Sequence, residues 1–457
     1  MMRPLTLSEL TGPLEATLLG DDVSVGGVST DSRSVAPGDL FVALRGERFD
    51  GHDYLDVARE AGAAAALVSD RFDATLPQLQ VIDTRRALGL LGAYNRSLYA
   101  GVLVAITGSS GKTTVKGMVQ AVLSRAGHAL ATEGNFNNEI GVPLTLLRLS
   151  PQVEYAVVEM GAARRGDIAW LCRLGRPGVA LLLNAMPAHL EGFGSLEDVA
   201  AAKGEIFDGL GADDCAVINA DQPWAGQWRK RAGEARIIDF ALDSAAAISA
   251  TAINLQGVDG VSFTASTPEG DIAIRLSLAG RHNVANALAA IAVGMACGLS
   301  LTDIRDGLES LQPVAGRLCT QRTLAGFTLI DDCYNANPGS VRAAIDTLAS
   351  CAGRRTLILG AMLELGEDSE QLHRDIGRYA SDAGIDAFWG VGPELRPAVA
   401  EFGEAGRFFA DRDEALAALA GAFAQYETVL VKGSRGAGME LLCSALRQQS
   451  PGRTETC

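Results

Sequence analysis

The sequence has little of what zinc proteins, disulfide-rich secreted proteins and membrane proteins are built from. Its eight cysteines include no Cys-x-x-Cys pair, which disfavours both a zinc site and a disulfide framework. Acidic residues outnumber basic ones by 55 to 39, a net charge of −16 that argues against broad binding to nucleic acid or anionic membranes. The most apolar segment, residues 284–301, is largely alanine and contains Asn286, so it predicts a buried helix and not a membrane span.

The amino-terminal residues also lack the long apolar core and the small-residue cleavage pattern of a secretion signal. Scattered cysteines in a chain of this size are typical of reduced thiols. The missing secretion signal and the scattered cysteines make the cytoplasm the expected location.

The chain is long enough for more than one domain, since 457 residues exceed one typical core. Residues 1–83 contain short apolar runs between glycine and proline turns and predict a small α/β domain. Residues 84–314 alternate strand and helix patterns, which is typical of a parallel sheet with crossover helices. Residues 315–457 repeat that alternation and predict a second parallel α/β unit. Its strand patterns lie near residues 327–330, 355–359, 386–390 and 428–431, with no Gly-x-Gly-x-x-Gly after any of them to indicate a dinucleotide cofactor.

The most informative segment, residues 102–114, reads Val-Leu-Val-Ala-Ile-Thr-Gly-Ser-Ser-Gly-Lys-Thr-Thr. A β-branched strand runs into a glycine loop whose backbone amides can turn toward phosphate oxygens. Lys112 would supply a cation to the phosphates, and the Thr113 hydroxyl can ligate magnesium. Ile106 stands where the strict motif has glycine, so the loop is the shorter Gly-x-x-Gly-Lys-Thr-Thr form. An ATP or GTP site is therefore predicted at Gly108, Ser109, Ser110, Gly111, Lys112, Thr113 and Thr114.

Three further polar residues are placed where they could serve that site. Glu159 closes the strand pattern 155–159, so it is either a magnesium ligand at the sheet edge or a solvated strand-end acid. His189 follows the next strand pattern, and its position alone is compatible with a structural role or with metal or phosphate contact. Lys203 falls in the middle of the apolar face of a helix that begins near Leu196, so it either snorkels to solvent or is paired.

Polar residues in and just before the carboxyl-terminal unit could have either a structural or a ligand-binding role. Asn283 is either a helix cap or a side-chain amide that contacts a base. Asp331 and Asp332 end a strand pattern, where they form a turn or bind ribose hydroxyls or metal. Asn337 precedes a proline and predicts a helix cap. Residues 432–436, Lys-Gly-Ser-Arg-Gly, lie between a strand and a helix pattern and could hold a carboxylate or a phosphate.

Taken together, these blocks resemble the Mur ligases of bacterial cell-wall synthesis over essentially the whole chain. The blocks that carry the resemblance are Thr30–Arg33, Gly46–His52, the phosphate loop, Gly134–Asn138, His189–Gly194, Lys203–Phe207, Gly280–Asn283 and Asp331–Asn337. The resemblance implies three α/β domains. A small amino-terminal domain, residues 1–83, would hold the UDP end of the substrate. A central P-loop ATPase with a parallel sheet would span 84–314, and a Rossmann-like domain for the amine substrate 315–457.

The resemblance also implies roles for residues at matching positions. It places ATP contacts at the phosphate loop and at Asn283, Arg317 and Asp332. It places magnesium ligands at Thr113, Glu159, His189 and Lys203, with Lys203 carbamylated and with Lys112, Glu159, His189 and Lys203 as the catalytic set. It places the UDP-substrate site at Asp31, Ser32, Arg33, Asp50, His52, Asn137 and Asn138, and the amine site at Asn335, Asn337 and Ser434. Cys333, where serine is usual, and Ala361, where aspartate is common, depart from the family pattern.

The chemistry implied by the resemblance is ATP-dependent formation of an amide bond. ATP and Mg²⁺ would convert the terminal carboxylate of UDP-N-acetylmuramoyl-tripeptide into an acyl phosphate, which the amine of D-alanyl-D-alanine attacks. Asp-Asn-Pro-Arg, typical of the ligase that adds a diamino acid, is absent, and so is the guanine motif Asn-Lys-x-Asp of regulatory GTPases. A monomer is expected, and the third residue of the peptide stays open.

Overall fold

The computed structural model describes residues 1–46, 48–72, 75–187, 190–312 and 316–448, with the backbone alone for residues 190 and 191. It contains three α/β domains in chain order, which confirms the predicted fold class. None of the helices in these described stretches combines the length and the apolar character that a bilayer span requires.

The amino-terminal domain is built on a mixed sheet. Its strands are β1 Leu5–Thr6, β2 Thr17–Leu19, β3 Ser24–Val25, β4 Gly27–Ser29, β5 Asp39–Val42, β6 Ala65–Val68 and β7 Gln78–Gln80, and its helices are α1 Leu7–Leu14 and α2 Leu55–Ala61. The main sheet has the order β2-β7-β6-β5-β4, with only β2 antiparallel to its neighbour, and β1 and β3 form a separate pair. The strands β5 and β6 are almost wholly buried, which agrees with their continuous apolar runs.

Helix α3, Thr84–Ser97, joins the first two domains, because its apolar side packs Leu88 and Leu91 into the amino-terminal core while it also contacts the helices of the central domain. Asp83 caps this helix by accepting from the backbone amides of Arg85 and Arg86. The helix therefore begins directly after residue 83, where the first domain was expected to end. Because the helix packs against both domains, the boundary at residue 83 stays a prediction.

The central domain has the parallel sheet that the sequence predicts. Its elements are β8 Val102–Thr107, α4 Lys112–Leu123, β9 Ala129–Ala131, α5 Gly141–Leu147, β10 Tyr155–Glu159, α6 Asp167–Gly175, β11 Val179–Leu182, α7 Leu190–Phe193, α8 Leu196–Gly204, β12 Cys215–Asn219, α9 Ala225–Arg231 and β13 Arg236–Phe240. The sheet order β13-β12-β11-β8-β10-β9 is parallel throughout. Strand β8 lies inside it between β11 and β10, so the phosphate loop is flanked by the ends of both.

A three-stranded antiparallel sheet completes the central domain and was not predicted. It consists of β14 Ser249–Leu255, β15 Val261–Thr267 and β16 Gly270–Leu276, and it is followed by helices α10 Arg281–Ala296 and α11 Leu301–Glu309. In β15 buried and partly exposed residues alternate, which is the pattern of a strand with one face on the core. Helix α10 lies in the predicted alanine-rich segment and is buried along most of its length.

The carboxyl-terminal domain is a six-stranded sheet with helices. Its elements are β17 Cys319–Arg322, β18 Thr328–Asp332, α12 Pro338–Ala349, β19 Arg355–Gly360, α13 Ser369–Asp382, β20 Ala387–Val391, α14 Arg396–Phe402, β21 Gly406–Phe409, α15 Arg412–Ala417, β22 Thr428–Lys432 and α16 Glu440–Gln448. The order is β17-β18-β22-β19-β20-β21, parallel except for β17. All four predicted strands are present, and Asn337 caps α12 as predicted, through a capping box with Ser340.

Candidate active site

The phosphate loop lies between β8 and α4, as the sequence predicts. Gly111 caps the helix with φ = 83°, a left-handed conformation that favours glycine. A Cβ built on Gly111 would also come within 2.9 Å of the Asn286 side-chain oxygen, so both backbone and space require a glycine. The Lys112 ammonium donates to the Gly108 carbonyl at 2.8 Å, which folds its side chain back over the loop. The loop thus ends at the amino terminus of α4 with the Lys112 ammonium folded over it, an arrangement suited to phosphate.

The loop is fastened to the segment that follows β11. Asn184 accepts from the Ser110 amide at 2.9 Å and donates to the Ser110 carbonyl at 3.1 Å, while its own carbonyl accepts from the Ser109 amide at 3.0 Å. The Ser109 hydroxyl donates to the Met186 carbonyl at 3.1 Å. Asn184 was not among the predicted site residues, although its place just after the strand β11, at the sheet edge where sites form, was an available signal.

Glu159 lies at the end of β10 beside the first turn of α4, and it is almost fully buried. Its two carboxylate oxygens accept from the Thr113 hydroxyl at 3.0 Å and from the Asn137 amide at 2.7 Å. The structure therefore brings together Thr113 and Glu159, two of the four expected metal ligands. Both offer oxygen atoms, the ligand type that Mg²⁺ prefers.

Lys203 lies on the buried face of α8 and lines the same cavity as the phosphate loop. Only 2% of the residue is exposed, so the snorkelling interpretation is wrong. Burial, followed by the positive charge of Lys112, lowers the pKa of Lys203 to about 7. Within the described residues its ammonium has no hydrogen-bond acceptor and no acidic partner. His189, the remaining expected ligand, lies outside the described residues.

Two residues of the carboxyl-terminal domain reach the central site. The Arg317 guanidinium donates to the Thr113 hydroxyl at 2.8 Å and stacks 4.1 Å above the centre of the Tyr334 ring. Asp332 pairs with Lys432, whose ammonium lies 2.6 Å from its carboxylate. Burial raises the pKa of Asp332, and Lys432 opposes that rise. Both residues line the cavity, as expected of ATP contacts supplied by this domain.

Asn283 also lines the cavity, but it is not the cap of α10, because that helix begins after Gly280. Its side-chain amide donates to the Ala279 carbonyl at 2.7 Å and its oxygen accepts from Asn286 at 3.0 Å. The neighbouring His282 is half-buried, and desolvation of its ring together with the charge of Lys432 lowers its pKa to about 4. This end of the site is thus polar, buried and already hydrogen-bonded.

These residues surround one cavity of about 1070 Å³ between the central and carboxyl-terminal domains. Nine cationic side chains line it, namely Arg85, Arg86, Lys112, Arg164, Arg165, Lys203, Arg317, Lys432 and Arg435. The five acidic ones are Asp83, Glu139, Glu159, Asp167 and Asp332. A protein with a net charge of −16 therefore concentrates positive charge at one place, which suits a polyanionic ligand.

The expected amine-site residues divide. Asn335 and Asn337 line the cavity, whereas Ser434 does not. The Ser434 hydroxyl accepts from the Leu363 amide at 2.9 Å and donates to the Ala336 carbonyl at 3.1 Å, so it holds the backbone in place. The next residue, Arg435, is exposed to the cavity and has no acidic partner among the described residues. Sequence analysis noted its segment without singling it out.

The two departures from the family pattern are buried. The Cys333 thiol donates to a carboxylate oxygen of Asp331 at 2.7 Å, so it takes the hydrogen-bonding place that a serine hydroxyl could fill. Asp331 also pairs with Arg447. The Ala361 carbonyl accepts from the Ser434 amide at 3.0 Å, a contact that its side chain does not affect.

The residues expected at the UDP end fall into two groups. Asn137 and Asn138 line the cavity, but Asp31, Ser32, Arg33, Asp50 and His52 do not. The Arg33 guanidinium binds both carboxylate oxygens of Asp31 on the surface and lowers the pKa of Asp31 to about 2. His52 is buried between the Asp50 carboxylate at 2.5 Å and the Ser69 amide at 3.0 Å. This second group lies on the amino-terminal domain, away from the residues that line the cavity.

Comparison with known proteins agrees with this organisation. Three family models match the chain: the Mur ligase catalytic domain over residues 24–96, the Mur ligase middle domain over 106–294, and the Mur ligase glutamate ligase domain over 316–435. The curated UDP-N-acetylmuramoyl-tripeptide–D-alanyl-D-alanine ligase of Escherichia coli K12 is 47% identical over 450 residues, which cover 98% of this chain and 99% of that protein. Its counterpart from Haemophilus influenzae is 41% identical over 98% of this chain and 99% of its own length.

Solved structures give the same result. A crystal structure of MurF from Acinetobacter baumannii has a TM-score of 0.93 and 37% identity, covering 98% of this chain and 100% of that one. MurF ligase from Thermotoga maritima, crystallised with ADP, has a TM-score of 0.83 and 29% identity, covering 92% of this chain and 97% of that one. The chain therefore belongs to the Mur ligase family and is an ATP-dependent ligase that forms amide bonds.

Proposed function

We propose that this chain joins D-alanyl-D-alanine to UDP-N-acetylmuramoyl-tripeptide through an acyl phosphate, a step in the synthesis of peptidoglycan precursors. The observation that carries the proposal is the cationic cavity, in which a phosphate loop faces Arg317, Asp332 and Arg435 of the carboxyl-terminal domain. The identity of the two substrates rests on the names of relatives that match this chain over nearly their whole length. The proposal includes a monomer in the cytoplasm, where ATP is available.

The proposed ATP site uses the phosphate loop, Lys112, Arg317, Asn283 and Asp332. The Thr113 hydroxyl and the Glu159 carboxylate, 3.0 Å apart, would hold Mg²⁺. When bound, Mg²⁺ would supply charge neutralisation between the triphosphate and the substrate carboxylate. Lys112 and Arg317 approach the same point from opposite domains, so they would offset the negative charge that develops on the transferred phosphoryl group.

The reaction proceeds in two displacements. A carboxylate oxygen of the tripeptide forms a bond to the γ-phosphorus of ATP while the bond to the bridging oxygen breaks, and ADP leaves. The amine of D-alanyl-D-alanine then attacks the acyl carbon, loses a proton, and expels inorganic phosphate from a tetrahedral intermediate. Closure of the carboxyl-terminal domain over the central one would exclude water, which otherwise hydrolyses the acyl phosphate.

Lys203 is proposed to act as a carbamate. Its buried amine, with a pKa near 7, has a substantial neutral fraction at physiological pH, and the neutral amine can form a bond to the carbon of CO₂ while the nitrogen loses a proton. The product carries two oxygens and a negative charge in a cavity rich in cations. Together with Glu159, and with His189 as the resemblance implies, it would complete a second magnesium site.

Arg435 is the proposed partner of the carboxylate of D-alanyl-D-alanine. Lys432 is occupied by Asp332, and Arg317 is held by Thr113 and Tyr334. Arg435 is the remaining cation on this wall of the cavity among the described residues, and a guanidinium binds a carboxylate through two parallel hydrogen bonds. Asn335 and Asn337, on the same wall, would contact the peptide of the same substrate.

The deciding experiment measures ATP-dependent phosphate release by the purified protein with UDP-N-acetylmuramoyl-tripeptide. D-alanyl-D-alanine, D-alanine, a free diamino acid and no amine are compared. Turnover is expected only with the dipeptide, because only its amine is placed to consume the acyl phosphate. Equal turnover with the free diamino acid would contradict the proposal.

The Arg435 contact is tested by replacing D-alanyl-D-alanine with its carboxyl-terminal amide. The unmodified enzyme should prefer the free acid by about tenfold or more in kcat/KM, and Arg435→Met should lose that preference. A variant that discriminates as well as the unmodified enzyme would exclude Arg435 while leaving the ligase assignment intact.

A further inference from the structure

Lys116 is a buried cation that the chemistry above does not use. It lies one turn beyond Lys112 on α4, and only 6% of the residue is exposed. Unlike Lys112, it does not line the cavity, so it does not touch substrate. Its ammonium lies 3.6 Å from a carboxylate oxygen of Glu159 and donates to the Gly134 carbonyl at 2.9 Å.

The Gly134 carbonyl belongs to the segment Gly134–Asn138, which we term the acceptor loop. This loop carries Asn137 and Asn138 into the cavity. Gly134 has φ = 50°, so the chain turns sharply where Lys116 holds it. The rest of the loop contains little regular structure, and it is attached to the strand ends by two Asn137 contacts, one to Glu159 at 2.7 Å and one to the Gly161 amide at 2.7 Å.

Lys116 therefore joins three parts of the site, because it extends from the helix of the phosphate loop and its ammonium contacts both the carboxylate at the end of β10 and the start of the acceptor loop. A buried carboxylate such as Glu159 is stable only with compensating partners, and Lys116 is the cation within ion-pair distance of it among the described residues. Without that cation, the Glu159 carboxylate would keep its hydrogen bonds to Thr113 and Asn137 but lose its compensating charge, and the acceptor loop would lose its anchor at Gly134.

We propose that Lys116 is a positioning residue that fixes the acceptor loop against Glu159 and thereby aligns the peptide substrate with the phosphate site. The part of this inference that concerns peptide binding rests on the proposed function. The part that concerns the order of the loop in the free protein does not.

The test uses Lys116→Met, which keeps the length and apolar stem and removes the charge, and Lys116→Arg, which restores a cation. Lys230→Met, at an exposed lysine on α9, is the matched control. Hydrogen exchange of residues 134–138 is measured in the free protein without nucleotide or metal. KM is then measured separately for ATP and for the UDP-linked tripeptide.

Lys116→Met should accelerate exchange of the acceptor loop about tenfold or more, since the loop loses its anchor at Gly134. It should raise KM for the tripeptide nucleotide about tenfold while KM for ATP changes less than about twofold, and Lys116→Arg should recover part of both. Unchanged exchange of residues 134–138 in Lys116→Met would overturn the inference whether or not the enzyme uses the proposed substrates. Equal rises in both KM values would also overturn it. If Lys116→Met folds poorly, hydrogen exchange and the two KM values are measured on Lys116→Gln instead.

Discussion

The central and carboxyl-terminal sheets have the same number of strands and both carry charged residues where parallel strands end, yet they treat those charges differently. In the carboxyl-terminal sheet Asp332 pairs with Lys432 and Asp331 pairs with Arg447. In the central site the ammonium groups of Lys112 and Lys203 form no ion pair among the described residues, and burial lowers the pKa of both, an effect that the charge of Glu159 opposes at Lys112. The carboxyl-terminal sheet thus pairs these charges internally, whereas the central site has one buried pair, Lys116 with Glu159, and two lysines that form no ion pair.

This difference separates structural charges from functional ones. A buried cation without a partner is costly, and folding retains it only where something else compensates. In the central site a polyanionic ligand would provide that compensation. In the carboxyl-terminal sheet the protein provides it, so those pairs fix the wall on which Arg317 and Arg435 are presented. Substitutions in the central site should therefore reduce activity without lowering stability, whereas substitutions in the carboxyl-terminal sheet should reduce stability.

The largest expected effect is on the central side. Lys112→Ala should reduce kcat by about a hundredfold to a thousandfold, because its charge acts on the transferred phosphoryl group. Thermal unfolding and far-UV circular dichroism should stay close to those of the unmodified protein, since no internal ion pair is lost. Lys230→Ala serves as the control. A Lys112→Ala variant with near-normal turnover would contradict the phosphate-loop interpretation. It would also contradict the division between functional charges in the central site and structural ones in the carboxyl-terminal sheet.

Lys203→Ala should also abolish most of the activity, by about a hundredfold, with the fold retained. If Lys203 acts as a carbamate, added formate or acetate should restore part of the turnover, because a small carboxylate can occupy the vacated space and supply the missing oxygens. The measurement is phosphate release against carboxylate concentration, with Lys112→Ala as the variant that should not respond. A fully active Lys203→Ala, or an inactive one that no carboxylate rescues, argues against the carbamate.

On the carboxyl-terminal side the expected loss is in stability. Lys432→Met leaves Asp332 buried without its cation and should lower the free energy of unfolding of this domain by about 3 kcal/mol. The double variant with Asp332→Leu should recover much of that loss, because no buried charge is left unpaired. Urea unfolding of the four proteins checks this as a double-mutant cycle. A Lys432→Met variant as stable as the unmodified protein would show that the Lys432–Asp332 pair does not stabilise the fold.

Much of the central site could be predicted because its residues are fixed by local pattern. Lys112 and Thr113 follow a strand and open a helix, and Glu159 ends a neighbouring strand, so a parallel sheet must bring them to one edge. For these three residues the spacing along the chain determines the position in space. The apolar helical face identified Lys203 as unusual but left snorkelling and pairing open, and only the structure shows that it is buried.

The remainder depends on contacts between distant segments. The hydrogen bond from Arg317 to Thr113 joins residues 204 positions apart and depends on how two domains meet. Ser434 turns away from the cavity because backbone groups at Ala336 and Leu363 engage its hydroxyl. Lys116 is flanked by the apolar stripe of α4, where no local pattern distinguishes an ion-paired lysine from a solvated one. Loop conformation and domain contact decide these cases.

The smallest expected effect is the share of the pH dependence of stability that Lys203 contributes. The folded protein holds the pKa of Lys203 near 7, well below its usual value near 10.4, so between these pH values the unfolded chain binds a proton that the folded one does not. Stability from this group therefore rises with pH across that window, by at most about 1.4 kcal/mol per pH unit, and is lost as pH falls toward 7.

Lys203→Met should flatten this slope and be the more stable protein at pH 7, because it removes a charge that burial disfavours. The check is urea unfolding at pH 7, 8 and 9 in buffers depleted of CO₂, which keeps the amine free, with Lys230→Met expected to retain the slope. Equal slopes in Lys203→Met and the unmodified protein would mean that Lys203 finds a partner in the folded chain. It would then belong with Lys432 among the satisfied charges.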